Sequence, residues 1–198
     1  MNLPNKLTVL RMVLIPFVMF FYLADFIPYG IGKIAALVIF IVAALTDLLD
    51  GKIARKHNLV TNLGKFLDPI ADKILTAAAL FMLIAGATPV IPAPYGVIIV
   101  TIIIAREFMV SALRLIAASQ GLVLAADIWG KAKTMVQMIA IPICMLIPFL
   151  IELGGVVGWL LLTVKIIGWS TLGVATILTI VSGVNYLVKN INCFKDSK

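Results

Sequence analysis

Charge is scarce in this chain. Only nine of its 198 residues are Asp or Glu, and charged residues of both signs make up 13%. A soluble domain carries about 25% charged residues, so an ordinary water-facing fold is excluded. Histidine occurs once, as His57, in a segment that reads as a loop. A solvated side chain fits it better than a metal ligand. Cysteine occurs twice: Cys144 lies inside an apolar run and Cys193 in the tail, so two packed or free thiols are expected rather than a disulfide. Internal repeats and low-complexity tracts are missing, and so is any basic soluble module that could carry nucleic acid.

Apolar residues fill the space, at 63%. They fall in runs of roughly 17–25 residues, the length that crosses a bilayer as a helix. The reading is an all-α integral membrane protein, a single transmembrane domain over residues 1–198 with spans at about 7–26, 32–56, 68–87, 95–119, 129–151 and 165–189. The breaks coincide with turn-forming segments such as "DFIPYGIG", "GATPVIPAPYG" and "ELGGVVG". The last break is the least defined, because "VVGWLLLTVKIIGW" can extend a span. Lys6 and Arg11 ahead of the first run suit a signal peptide, but Arg11 interrupts the run and no small-residue cleavage site follows "FFYLADF", so it is kept as a span. With six spans, Lys6, Arg11, Lys52, Arg55, Lys56, Lys65, Lys131, Lys133, Lys189, Lys195 and Lys198 share one side, while Lys33 and Lys165 fall on the other. The positive-inside rule makes the rich side cytoplasmic, with both termini there.

Four of the nine acids, Asp47, Asp50, Asp68 and Asp72, stand between Leu45 and Ile74. An ionised group inside a transmembrane helix costs about 2.5–3.5 kcal/mol on translocon scales, so each needs a partner. Asp47 and Asp50 are spaced i, i+3; Asp68 and Asp72 are spaced i, i+4; each pair shares a helix face. The two helices are antiparallel neighbours, so the pairs can meet just inside the membrane. Two like charges ~5 Å apart cost roughly 3 kcal/mol at an effective dielectric of about 20. Protonation, a salt bridge to Arg55 or Lys73, or a pair of divalent cations would each relieve this; hard carboxylate oxygens suit Mg²⁺ or Mn²⁺. Gly51 and Ala54 lie on the face of Asp47 and Asp50 and leave an indentation, and Gly64 clears space on the opposing helix. Close helix packing alone would account for these small residues, though not for the aspartates. Pro69 either caps the third helix or sits inside a helix that begins near Thr61; the second keeps Gly64, Asp68 and Asp72 on one face.

The pattern Asp47-x-x-Asp50-Gly51-x-x-Ala54-Arg55, eight residues, Gly64-x-x-x-Asp68-x-x-x-Asp72 resembles the signature of the CDP-alcohol phosphatidyltransferases. Chain length, six spans and the N-terminal "NKLTVLR" extend the likeness over the whole chain, toward the bacterial branch that uses glycerol 3-phosphate. The resemblance implies a homodimer in the cell inner membrane with a cytoplasm-facing site for two divalent ions, Mg²⁺ or Mn²⁺. It implies that Asp47, Asp50, Asp68 and Asp72 hold the ions and that Asp72 also serves as base. Gly51, Ala54, Arg55, Gly64 and Asp50 would line the CDP pocket. The implied reaction joins CDP-diacylglycerol and glycerol 3-phosphate into phosphatidylglycerophosphate and CMP.

A phosphorylated acceptor needs cations near the aspartates. Arg114, Lys131 and Lys133 are the candidates, with Arg106 behind them. Their plainer readings are pairing of Arg106 or Arg114 with Glu107 inside the bundle, and interfacial anchoring for one of the two lysines. Asn5, Thr8 and Arg11, three apart on the first helix, form a polar stripe that the resemblance assigns to the nucleotide end; interfacial anchoring is its plainer reading. Asp127 and Trp129 read as interface residues, Asp25 and Glu152 as far-side acids. The motif names the donor chemistry, not the acceptor, so serine, inositol phosphate or phosphatidylglycerol remain rivals. A divalent-cation carrier also needs intramembrane acids, but the four lie at one depth with no relay across.

Overall fold

The protein is all-helical in a computed structural model that describes residues 2–56, 62–86, 88–119, 128–154 and 158–190, without the side chains of 3, 4, 29, 48–56, 62, 63, 65, 66 and 119. Six α-helices follow one another: α1 Leu3–Leu23, α2 Ile31–Lys56, α3 Asn62–Ile84, α4 Tyr95–Ser119, α5 Ile128–Glu152 and α6 Gly158–Lys189. A single 3₁₀ turn, Pro28–Gly30, leads into α2. In an apolar medium the backbone must satisfy its own hydrogen bonds, which favours helix wherever the chain is this hydrophobic. The six helices match the six expected runs in order. Membrane-crossing length and apolarity hold for four of them among the described residues: α1, α4, α5 and α6.

Two boundaries differ from simple run-counting. Helix α3 begins at Asn62 and carries Pro69 in its interior, so the helix that starts near Thr61 is the one that forms. Helix α6 begins at Gly158, seven residues before the expected start, and absorbs the "GWLLLTV" segment. Just before it, α5 stops where Gly154 takes φ +72°, the left-handed conformation in which glycine closes a helix end at little cost.

Helices α1 and α2 are antiparallel, and both ends of the pair are tied. One tie joins Arg11 to Asp47. At the other end Lys33 is buried and donates to the Asp25 carboxylate at 2.7 Å and to the carbonyl of Tyr22. Along α1 the buried residues Asn5, Thr8, Arg11, Ile15, Val18 and Tyr22 recur every three or four positions, which puts them on one stripe. The stripe is polar for its first half and apolar for its second. On α2 the buried face runs through Ala36, Phe40 and Ala43 toward Asp47. Small residues there let the helix axes approach, since packing rather than water exclusion holds helices together in lipid. Cys144 is fully buried in the core as a free thiol, in line with the packed thiol expected; Cys193, His57 and Asp127 lie outside the described residues. Trp129 is about half exposed at the start of α5.

Candidate active site

The site assembles where the start of α1, the end of α2 and the start of α3 come together. Thr8 and Arg11 are one turn apart on α1, and each reaches a different motif helix. Thr8 Oγ1 donates to Asp68 Oδ1 on α3. Arg11 places a guanidinium nitrogen 2.7 Å from Asp47 Oδ1 on α2 and donates from Nε to the Ala43 carbonyl at 3.3 Å. Arg11 is fully buried, whereas the Asp47 side chain keeps 36% of its surface. Asn5 continues the same buried stripe. Interfacial anchoring is therefore the wrong reading of the polar stripe, because anchoring residues point to water and these point inward. Gly64 is buried on α3. Asp50, Gly51, Ala54 and Arg55 belong to α2, but their side chains lie outside the described residues.

Two sizeable cavities adjoin these carboxylates. The first, about 470 Å³, is polar: Asp72 and Lys73 of α3, Arg106, Glu107 and Arg114 of α4, and Lys131 of α5 stand in its wall. The second, about 440 Å³, runs between α2 and α5, with Asp47 and Asp72 in a mostly apolar wall that includes Phe40, Leu45, Ile139 and Pro142. Asp72, Thr134 and Met135 belong to both. Among the described residues no hydrogen bond or ion pair involves the Asp72 carboxylate, and the residue borders both spaces.

The cations are held by neighbours that only the fold brings near. Arg114 Nε lies 3.4 Å from the Tyr186 hydroxyl, and its guanidinium sits 5.6 Å from the ring centroid of the same tyrosine on α6. Arg106 donates to Ser182 Oγ and approaches Glu107 at 3.9 Å. A methyl group built on Gly183 would lie 3.1 Å from Arg106 Cγ, so that glycine fixes where the arginine stem can run. Expected pairing of Arg106 with Glu107 is thus present but long, and Arg114 pairs with Tyr186 instead. Lys131 is exposed and borders the polar cavity.

Lys133, expected with Lys131 at the acceptor phosphate, takes a different position from that lysine. Two residues apart on a helix means roughly 200° around the axis, so the two lysines serve different faces. Lys133 is 1% exposed and makes an ion pair with Glu107. It borders a small third cavity, about 40 Å³, together with Asp72, Lys73, Glu107 and Gln137. Sequence reasoning missed Ser182, Tyr186 and Gln137, which carry no spacing signal linking them to the aspartates.

Carboxylate oxygen is the right donor for Mg²⁺ or Mn²⁺, and Asp47 and Asp72 converge on one cavity. Among the described residues no three Asp, Glu, His or Cys side chains come close enough to hold an ion by themselves; the Asp50 side chain is outside them. The donor set fits a hard divalent cation by its chemistry.

Residues 1–184 match the family model described as CDP-alcohol phosphatidyltransferase. Three similar proteins carry the name CDP-diacylglycerol--glycerol-3-phosphate 3-phosphatidyltransferase. The one from Bacillus subtilis (strain 168) is 42% identical, over 99% of this chain and 98% of its own. The one from Rickettsia bellii is 36% identical over 93% of both chains, and the one from Haemophilus influenzae is 37% identical over 94% of this chain and 91% of its own.

Proposed function

The chain belongs to the CDP-alcohol phosphatidyltransferase family, and from that premise we propose that it transfers a phosphatidyl group from CDP-diacylglycerol to sn-glycerol 3-phosphate. The products are phosphatidylglycerophosphate and CMP. The observation that carries this reading is the position of Asp72 in the wall of both large cavities, one cationic and one apolar. A small phosphorylated alcohol suits the first, whose volume lies within the roughly 300–1,000 Å³ of small-molecule sites. Acyl chains suit the second. The reacting centre then lies where the two meet.

Arg106, Arg114 and Lys131 neutralise the acceptor phosphate and turn its hydroxyl toward Asp72. That hydroxyl attacks the phosphorus bearing diacylglycerol. Its proton passes to the Asp72 carboxylate, the bond from that phosphorus to the bridging diphosphate oxygen breaks, and CMP departs with that oxygen. A carboxylate is a weak base for an alcohol, so Asp72 acts chiefly by positioning, with the proton lost late. Two divalent ions, held by Asp47, Asp50, Asp68 and Asp72, would supply Lewis-acid stabilisation of the charge on the phosphoryl oxygens. Asn5, Thr8 and Arg11, with Gly51, Ala54, Arg55 and Gly64, form the nucleotide side of the site; Thr8 and Arg11 orient Asp68 and Asp47. Holding donor and acceptor in line supplies much of the rate.

Six spans, with α2 and α3 crossing as well, bring both termini and the cationic cavity to the cytoplasmic face of the inner membrane. Two chains form a homodimer, which cross-linking in native membranes tests. The function itself is tested by CMP release from CDP-diacylglycerol with purified protein and a panel of acceptors, run with and without a chelator. Release with glycerol 3-phosphate, lost on chelation and restored by Mg²⁺ or Mn²⁺, is expected. Release with serine, inositol phosphate or phosphatidylglycerol instead overturns the acceptor. No release with any of them overturns the transfer reaction and leaves the cation carrier standing.

A further inference from the structure

Gln137 lies one helical turn beyond Lys133 on α5 and is 2% exposed. Neither its carboxamide oxygen nor its nitrogen has a hydrogen-bond partner among the described residues. A buried carboxamide left without partners is costly, so this position calls for a group that both donates and accepts. The side chain borders the cavity of about 40 Å³ that also meets Asp72, Glu107 and Lys133. One water needs about 10–15 Å³ on the same measure, so the space takes a short hydroxylated group.

The small cavity is continuous in its lining with the larger cationic one: Asp72, Lys73, Glu107 and Thr134 border both. The division of chemistry between them is sharp. Arg106, Arg114 and Lys131 border only the larger cavity. Among the residues that border the smaller one alone, Lys133 is paired with Glu107, and Gln137 is the buried polar side chain without a partner among the described residues. An anion belongs in the first and a neutral hydroxyl in the second, with Asp72 between.

We propose that Gln137 is a specificity-determining residue that receives the acceptor's second, non-reacting hydroxyl, so that the primary hydroxyl is presented to Asp72. This rests on the reading of the acceptor as glycerol 3-phosphate. The carboxamide N–H donates to that hydroxyl's oxygen and its C=O accepts a hydrogen bond from the O–H, a two-way match that neither a lysine nor a carboxylate provides.

The test uses the full chain, purified, with CDP-diacylglycerol and two acceptors: glycerol 3-phosphate and 3-hydroxypropyl phosphate, which lacks the secondary hydroxyl. CMP release is measured for wild type and Gln137→Met, which keeps length and apolar packing. Wild type is expected to prefer glycerol 3-phosphate by about 10-fold or more in kcat/KM, as sites built around a substrate hydroxyl do. Gln137→Met should lose that preference, falling about 10-fold on glycerol 3-phosphate while staying within about twofold of wild type on the deoxy acceptor. Equal losses on both acceptors, or an unchanged preference, overturn the inference alone. A wild-type chain that releases no CMP with glycerol 3-phosphate overturns the acceptor reading and this inference with it. If Gln137→Met does not fold, Gln137→Asn, which withdraws the carboxamide by one methylene, must show the same collapse of preference; a retained preference overturns the proposal.

Discussion

The Arg11–Asp47 pair yields an asymmetric prediction, because its two ends differ in access to water. Arg11 is fully buried, while Asp47 keeps 36% of its side-chain surface. Consider Arg11→Met, which keeps the packing of the stem but removes the guanidinium. The carboxylate left behind is hydrated through its exposed third, so the loss is mainly that of charge-assisted hydrogen bonds, about 1.5–3 kcal/mol. Now consider Asp47→Ala. The guanidinium has no route to water, and removing one partner of a buried pair costs about 3–5 kcal/mol when the survivor is left desolvated. Alanine recovers only about 0.5 kcal/mol through helix propensity. Arg11→Met also gives up the bond to the Ala43 carbonyl, yet Asp47→Ala should destabilise more. The double variant should cost less than the sum of the two, because the buried charge goes together with the carboxylate that faces it. The assay is denaturant unfolding in detergent for all four proteins, with a chelator present so that ion binding at Asp47 does not enter. Equal costs for the two single variants, or costs that simply add, would refute the reasoning that a desolvated guanidinium is held by this carboxylate.

Asp72→Asn should lower kcat for CMP release by at least about 100-fold, the lower range for a positioned acid–base group, with unfolding unchanged; near-normal turnover at saturating metal would remove its assigned role. Arg114→Ala should raise the acceptor KM about 10-fold, in keeping with one lost charge-assisted hydrogen bond, and move the donor KM little; the opposite pattern would assign Arg114 to the lipid donor. Gly183→Ala adds a methyl 3.1 Å from Arg106 Cγ, and should raise the acceptor KM a few-fold by shifting that guanidinium, with thermal stability retained. Lys133→Ala leaves Glu107 with the long 3.9 Å approach of Arg106 and should destabilise the protein by about 1–3 kcal/mol in the same unfolding assay, rather than acting on KM alone.

The helices and the aspartate motif were legible in the chain because each rests on local spacing. Apolar runs of bilayer length dictate helix wherever they occur, and the i, i+3 and i, i+4 placement of Asp47, Asp50, Asp68 and Asp72 sets their faces before any tertiary contact forms. The polar stripe Asn5–Thr8–Arg11 was visible in the same way, but not its direction. A stripe looks alike whether it meets water or a neighbouring helix, and only the seating of α1 against α2 and α3 turned Thr8 to Asp68 and Arg11 to Asp47.

What the sequence determined alone was therefore the element list and the identity of the acids, since both follow from periodicity along a single helix. The partners of the cations were decided by tertiary structure. Tyr186 and Ser182 lie 72 and 76 residues from the arginines they hold, and no local rule links positions that far apart. Lys131 and Lys133 show the same division: their sign was plain, but the rotation of α5 in the bundle put one at an open cavity and buried the other against Glu107. Spacing fixes which residues share a face; what that face meets is set by how the helices pack.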